Sequence, residues 1–159
     1  MTGSAAKILS VEEAVRWRAE AASPVVFTNG VFDLLHVGHI AILEAARALG
    51  ASLIVGINSD ASVRSLGKGS DRPFVPAADR ALVVAAIGAV DCVVPFEEPT
   101  PLAVITALAP DILVKGADYL PETIVGADLV RARGGRVEVI PLVADRSTTR
   151  LLERLRGTS

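Results

Sequence analysis

Both histidines of the chain, His36 and His39, lie in one stretch, TNGVFDLLHVGHI over residues 28–40, with Gly38 between them. An imidazole donates to an anion when neutral and does so more strongly when charged. Glycine admits a close approach to the backbone. The free N–H groups and the dipole of a helix N-terminus favour negative charge. If the two histidines open a helix, they reach one shared ligand, and phosphate suits that arrangement best. Two other readings compete. The histidines could act as caps or satisfied core groups. With Asp33 they could also form a D-x-x-H-x-x-H metal set, although no cysteine or further firm ligand stands nearby. Two common phosphate motifs are excluded. GKGS at 67–70 lacks the first glycine of a P-loop, and no G-x-G-x-x-G opens the helix.

The elements that must position these residues alternate along the chain. PVVFTN (24–29), SLIVGIN (52–58), DCVVPF (91–96), DILVKG (111–116) and RVEVIP (136–141) are short apolar runs suited to strands covered on both faces of a parallel sheet. Helical stretches separate them: GHIAILEAARALG, PAADRALVVAAIGAV, TPLAVITALAP, PETIVGADLVRARGG and STTRLLERLR. In the first of these Gly50 suits the C′ position, and Glu44 and Arg47 have i, i+3 spacing. An extra helix over about 10–22 opens with capping-box spacing between Ser10 and Glu13. The pattern predicts a single α/β domain over residues 1–159, with its core at about 24–156 and frayed ends at about 1–6 and 157–159. The fold class is a Rossmann-like, open, five-stranded parallel sheet with helices on both faces. Ligands of such sheets bind beyond the carboxyl ends of the strands. The residues there carry chemistry: Thr28, Asn29, Asp33, His36 and His39; then Asn58, Ser59 and Asp60; then Lys115, Asp118 and Tyr119; then Arg146, Ser147, Thr148 and Thr149.

Composition narrows the class. The chain has 159 residues, is 51% hydrophobic and 21% charged, and carries a formal net charge of -2, which favours neither nucleic acid nor a membrane surface as partner. It shows no run long enough to span a bilayer and no signal-peptide core, and a cytoplasmic location is expected. The single cysteine, Cys92, excludes an internal disulfide and reads as a small buried hydrophobe. The apolar stretch ALVVAAIGAV is compatible with a homo-oligomer, dimer or tetramer, and equally with a helix buried on a two-faced sheet.

TNGVFDLLHVGH together with RSTTR resembles the nucleotidyltransferase superfamily, with its H-x-G-H signature and its later S/T-rich motif. More closely, VFTNGVFDLLHVGH, LIVGINSDASV, DRPFVP, VDCVVPFEEPTP, PDILVKGADYLPETIVG, GGRVEVIP and STTRLLERL resemble, in order, the adenylyltransferase domain of ADP-heptose synthases, over about residues 24–156. The sugar-kinase domain often fused to it has no room here, so a monofunctional enzyme is expected. The resemblance implies AMP transfer from ATP to D-glycero-β-D-manno-heptose 1-phosphate, with Mg²⁺ held largely by ATP oxygens and water and no metal site on the protein. His36, His39 and Lys68 would stabilise phosphate charge. Thr28, Asn29, Gly30, Phe32 and Gly38 would cradle the nucleotide. Lys115, Gly116, Asp118 and Tyr119 would frame its base and ribose, and Ser147, Thr148 and Thr149 would meet its phosphates. Asp33, Asn58, Asp60 and Arg72 are the candidates for contact with the acceptor; Asp33 alternatively orients the turn by accepting backbone N–H bonds. Two features depart from the family pattern. Asp145, followed by Arg146, replaces a usual glycine two residues before the S-T-T run. The loop RSLGKGSDRP is one residue longer, which leaves Lys68 or Arg64 as its phosphate-contacting cation. Rival readings are a cytidylyltransferase acting on glycerol 3-phosphate or a related phospho-alcohol, whose relatives read G-T-F-D where this chain reads NGVFD; a phosphopantetheine adenylyltransferase, which usually has Thr at the position of His36; and a non-catalytic nucleotide sensor.

Overall fold

The structure is a computed structural model that describes residues 3–144 and 146–157. Five strands, β1 (Val25–Gly30), β2 (Ser52–Asn58), β3 (Cys92–Phe96), β4 (Ile112–Gly116) and β5 (Arg136–Ile140), form one sheet in the order β3-β2-β1-β4-β5. All pairings are parallel; Thr28 sits opposite Val55, and Phe27 opposite Leu113. The five apolar runs of the sequence are these five strands. Two-sided burial explains why β1 to β4 read as continuous rather than alternating, whereas β5, at the sheet edge, is only partly buried and alternates as RVEVI. Val25 and Phe27 of β1 face one core with Ile54, Cys92, Val94 and Leu113, covered by α1 (Val11–Glu20), α5 (Leu102–Leu108) and α6 (Ala127–Ala132). Val26 faces the other with Leu53, Val55, Val93 and Val114, under α2 (Val37–Ala48) and α4 (Ala77–Ala85). Cys92 is fully buried, and burial pushes its thiol up to about 12, with the Asp91 carboxylate adding to the effect.

Local signals held at several element ends. Ser10 and Glu13 form the expected capping box on α1. Gly50 follows α2, but close approach is what requires it: a Cβ there would lie 2.5 Å from the Pro24 carbonyl oxygen. Arg47 pairs with Asp91 at 3.0 Å, which ties α2 to the start of β3.

Three expectations are corrected. PETIVGADLVRARGG is not one helix; a 3₁₀ turn at Pro121–Thr123 is separated from α6 by Gly126 at φ 83°. That glycine lets the chain pass against Ile105 of α5, whose Cδ1 would lie 2.8 Å from an added Cβ. A short α3 (Asp60–Ser65) follows β2, capped by Ser59 accepting from the Ser62 amide. The N-terminal segment is structured at Ser4–Lys7, where Lys7 Nζ donates to the Val90 carbonyl and Ile8 bridges Val93. The departure at Asp145 lies outside the described residues. Among the described residues no helix is long and apolar enough to cross a membrane. The strand order reverses between β1 and β4. A crevice forms there at the carboxyl ends of the strands, so the residues following β1 and β4 converge.

Candidate active site

His36 is the N-cap of α2 (Val37–Ala48), and its ring folds back over the helix start. The Gly38 amide donates to His36 Nδ1 at 3.1 Å, and the His36 amide donates to His39 Nδ1 at 3.3 Å. This is a capping box built from two imidazoles. It explains the glycine between them, because a Cβ on residue 38 would lie 2.8 Å from His36 Cε1 and 2.9 Å from its Nδ1. Each Nδ1 accepts from the backbone, so each neutral ring carries its proton on Nε2. The ring centroids are 4.0 Å apart. Burial lowers the pKa of both rings; His39 falls to about 4, with the neighbouring His36 adding to the effect. Near neutral pH the pair therefore offers two uncharged Nε2–H donors, and an arriving anion favours their protonation. The capping read in the sequence is performed by Nδ1 of each ring, which leaves the opposite edge of each ring able to donate.

Gly38→Ala supplies a direct check. Alanine is the better helix former, yet its methyl displaces the His36 ring. The expected result is a folded protein with turnover about 10- to 100-fold lower, the scale of a small misplacement of a catalytic group. Thermal melting and kcat of the variant test this; an unchanged kcat would contradict it.

The loop leading into α2 is held under strain. Phe32 adopts φ 52°, a left-handed conformation that costs a bulky residue on the order of 1–3 kcal/mol. Its buried ring covers Gly30, where a Cβ would lie 3.1 Å from it, and tilts against His39 at 5.4 Å. Two arginines offset the strain by fixing the loop. Arg80, 1% exposed, donates to the carbonyls of Val31 (2.7 Å), Asn58 (2.8 Å) and Val75 (2.8 Å) and pairs with Asp60 at 2.7 Å. Arg72 pairs with Asp33, whose carboxylate also accepts from the amides of Phe74 and Val75 at 2.9 Å each.

A cleft of about 280 Å³ opens beside the histidines. It brings together Thr28, Asn29, Gly30, Phe32, His36, Gly38, His39, Lys68, Lys115, Gly116, Asp118, Tyr119, Ser147 and Thr148 from the sequence candidates. Thr28 uses its hydroxyl on the Val114 carbonyl, so it faces the cleft as a β1–β4 tie. Lys68 lines this cleft and both cavities beside it, whereas Arg64 lines none of the three. Thr149 and Arg72 line a flanking cavity shared with Asp33, His39 and Lys68. Asn58 lines another, where its amide donates to the Ser62 hydroxyl at 2.9 Å. Asp60 lines none of these three and is committed to Arg80. Asp33 is committed to Arg72 and two amides, and among the described residues no group of three His, Cys, Asp or Glu side chains converges on a metal position.

The sequence reading missed Ile42, Leu142 and Val143, which supply apolar wall, and Arg80, which supports the floor. It had named Arg146 beside the S-T-T run without assigning it to the site, and Arg146 lines the cleft. Nothing local distinguishes the buried Arg80 from a solvated helix arginine.

The parallel sheet in this order, with an H-x-G-H helix start beside its switch point, defines an α/β nucleotidyltransferase-like fold. A family model described as cytidylyltransferase-like matches residues 27–149, and the chain belongs to that family. It is 53% identical over 146 residues to the bifunctional protein HldE of Syntrophotalea carbinolica, a match covering 92% of this chain and 30% of that one. The corresponding protein of Mesorhizobium japonicum is 54% identical over 156 residues, covering 96% and 31%. The chain thus spans less than a third of the length of these relatives. Among solved structures it is similar to a lipopolysaccharide core biosynthesis protein from Thermoplasma volcanium, with TM-score 0.62, 27% identity, and 75% of this chain and 95% of that one covered. It shares its fold with the pantoate-beta-alanine ligase of Francisella tularensis, with TM-score 0.60, 16% identity, and 89% and 68% covered.

Proposed function

We propose that this chain transfers AMP from ATP to D-glycero-β-D-manno-heptose 1-phosphate, giving ADP-heptose and pyrophosphate for heptose-containing glycans such as lipopolysaccharide core. The observation that carries the reading is the imidazole pair at the start of α2. Its Nε2–H groups are free to donate into a cleft that also contains Lys68, Lys115, Ser147 and Thr148. Several donors and three cations, Lys68, Lys115 and Arg146, around one crevice suit the phosphates of two substrates. The seven blocks shared with ADP-heptose synthases and the half-identity to HldE proteins support the choice of substrates.

In the transfer an oxygen of the sugar phosphate forms a bond to the α-phosphorus of ATP. The bond from that phosphorus to the bridging oxygen breaks, and the electron pair leaves with pyrophosphate. The attacking oxygen is already ionised, so no strong general base is required. The protein's task is alignment and stabilisation of charge. His36 and His39 donate to the transferred and leaving phosphates. Ser147 and Thr148, at the start of α7 (Thr148–Gly157), line the same cleft. Ser147 Oγ accepts from the Arg150 amide and Thr148 Oγ1 donates to the Leu34 carbonyl, which ties that helix start to the loop before α2. Mg²⁺ enters as part of the nucleotide substrate. The cleft fits that role, since Asp118 is the one carboxylate among its described lining residues. ATP as the nucleotide substrate supports a cytoplasmic location for the activity.

Pyrophosphate release from ATP and heptose 1-phosphate tests the proposal. Release is expected to require added Mg²⁺ and to stop with EDTA, while the melting temperature of the ligand-free protein stays unchanged by chelation. A melting temperature that collapses with EDTA, together with stoichiometric zinc, would instead support the Asp33, His36 and His39 metal set.

A further inference from the structure

Among the described residues two cationic side chains are buried, and they are treated differently. Arg80 is paired with Asp60 and satisfied by three carbonyls. Lys115, 7% exposed, forms no ion pair with a carboxylate among the described residues, although Asp118 lies near enough to favour its charge. Its Nζ donates to Asn29 Oδ1 at 2.5 Å and weakly to the Asn29 carbonyl at 3.4 Å, and it stands 5.0 Å from the centre of the Tyr119 ring. A buried cation bonded to a neutral amide and faced by a ring, with no carboxylate paired to it, is costly unless an anion completes it. Its place in the fold says which anion. Lys115 lies near the end of β4, beside β1 at the switch in strand order, and lines both the main cleft and a second cavity of about 180 Å³. The two cavities share Asn29, Gly30, Val31, Lys68, Lys115 and Tyr119. Beyond that common wall the second cavity offers Asn58, Thr100 and Thr123, polar groups suited to hydroxyls, between Pro99 and Pro101.

The geometry points to Lys115 as a catalytic residue that holds the acceptor's phosphate at the junction of the two cavities, with Asn29 and Tyr119 as positioning residues and the second cavity receiving the acceptor's polyhydroxyl part. The inference rests on the nucleotidyl transfer proposed above and moves Lys115 from the base and ribose to the reacting phosphates. Lys115 stays protonated through the reaction. It lowers the repulsion between the incoming phosphate and the α-phosphate, and no proton changes place.

A pH profile separates this role from a structural one. In the free protein burial lowers the Lys115 ammonium to about 8; Asp118 opposes the shift and Lys68 reinforces it. The remaining groups are the Tyr119 phenol on this wall and, elsewhere in the cleft, the Arg146 guanidinium, whose charge is constant over this range, and the two imidazoles, whose lowered pKa values keep them neutral on the alkaline side. Lys115 attracts the acceptor only while it is charged, so kcat/KM for the sugar phosphate is expected to fall as pH rises through about 8. Lys115→Arg keeps the charge at all accessible pH values and is expected to move that limb upward. Lys115→Met is expected to lower acceptor kcat/KM about 100-fold at pH 7, while ATP affinity, read by direct titration, changes less than about threefold, the smaller change expected for a group aimed at the other substrate. Tyr119→Leu leaves the lysine in place and is expected to raise the acceptor KM, which keeps a readout if Lys115→Met fails to fold. Wild-type protein that releases no pyrophosphate with ATP and any sugar 1-phosphate would overturn the transfer reading itself. An active wild type whose alkaline limb is unmoved in Lys115→Arg, or whose acceptor kcat/KM survives Lys115→Met, would overturn the role of Lys115 alone.

Discussion

Replacing His39 by alanine is expected to lower turnover by about 100-fold or more, the scale for loss of one preorganised donor to a developing charge. The effect should fall on kcat more than on ATP affinity, because Nε2–H donation strengthens as charge builds on the transferred phosphate. The substitution also removes the acceptor for the His36 amide and the ring packed against Phe32. Loss of such a cap costs about 0.5–2 kcal/mol. That loss is local, since the buried cores on both sheet faces do not include His39. A folded His39→Ala protein with full activity would remove the imidazole pair from the mechanism and leave it a helix cap only.

The strands were legible because burial on both sheet faces writes itself as uninterrupted Val, Ile and Leu, as in SLIVGIN. The cleft residues were legible through topology. A parallel sheet sends every strand's carboxyl end to one side, so Asn29, Lys115 and the S-T-T run had to meet once the strands were known. The identity of their partners was not legible, because those partners come from far along the chain. Asp33 meets Arg72 across 39 positions, and Asp60 meets Arg80 across 20. Asp60 reads as a free carboxylate in sequence and is a structural tie in the fold; for Asp33 a bond to backbone amides is one of the sequence readings, but the amides it meets are the distant ones of Phe74 and Val75. The helix read through PETIVGADLVRARGG failed at Gly126. Its apolar spacing was helical, but contact with Ile105 and the left-handed backbone there broke the run. Cavity walls built from Leu142 and Val143 carry no local mark, since an apolar side chain beside a ligand and one in a core look alike in sequence.

Family membership allows either ATP or CTP, and the histidine chemistry serves both. The discrimination belongs to the walls. We place the base near Gly116, Asp118 and Tyr119, which line the cleft; groups there that pair with one base edge would be left unpaired with the other. A site that hydrogen-bonds a substrate group rejects the analogue lacking it by up to about 10⁴- to 10⁵-fold. The second cavity has Asn58, Thr100 and Thr123 on its walls, polar side chains suited to the hydroxyls of a sugar acceptor. The direct measurement is kcat/KM for heptose 1-phosphate and for glycerol 3-phosphate, each with ATP and with CTP. The account predicts that ATP with heptose 1-phosphate exceeds the other three pairs by about 100-fold or more. Preference for CTP with glycerol 3-phosphate would contradict it.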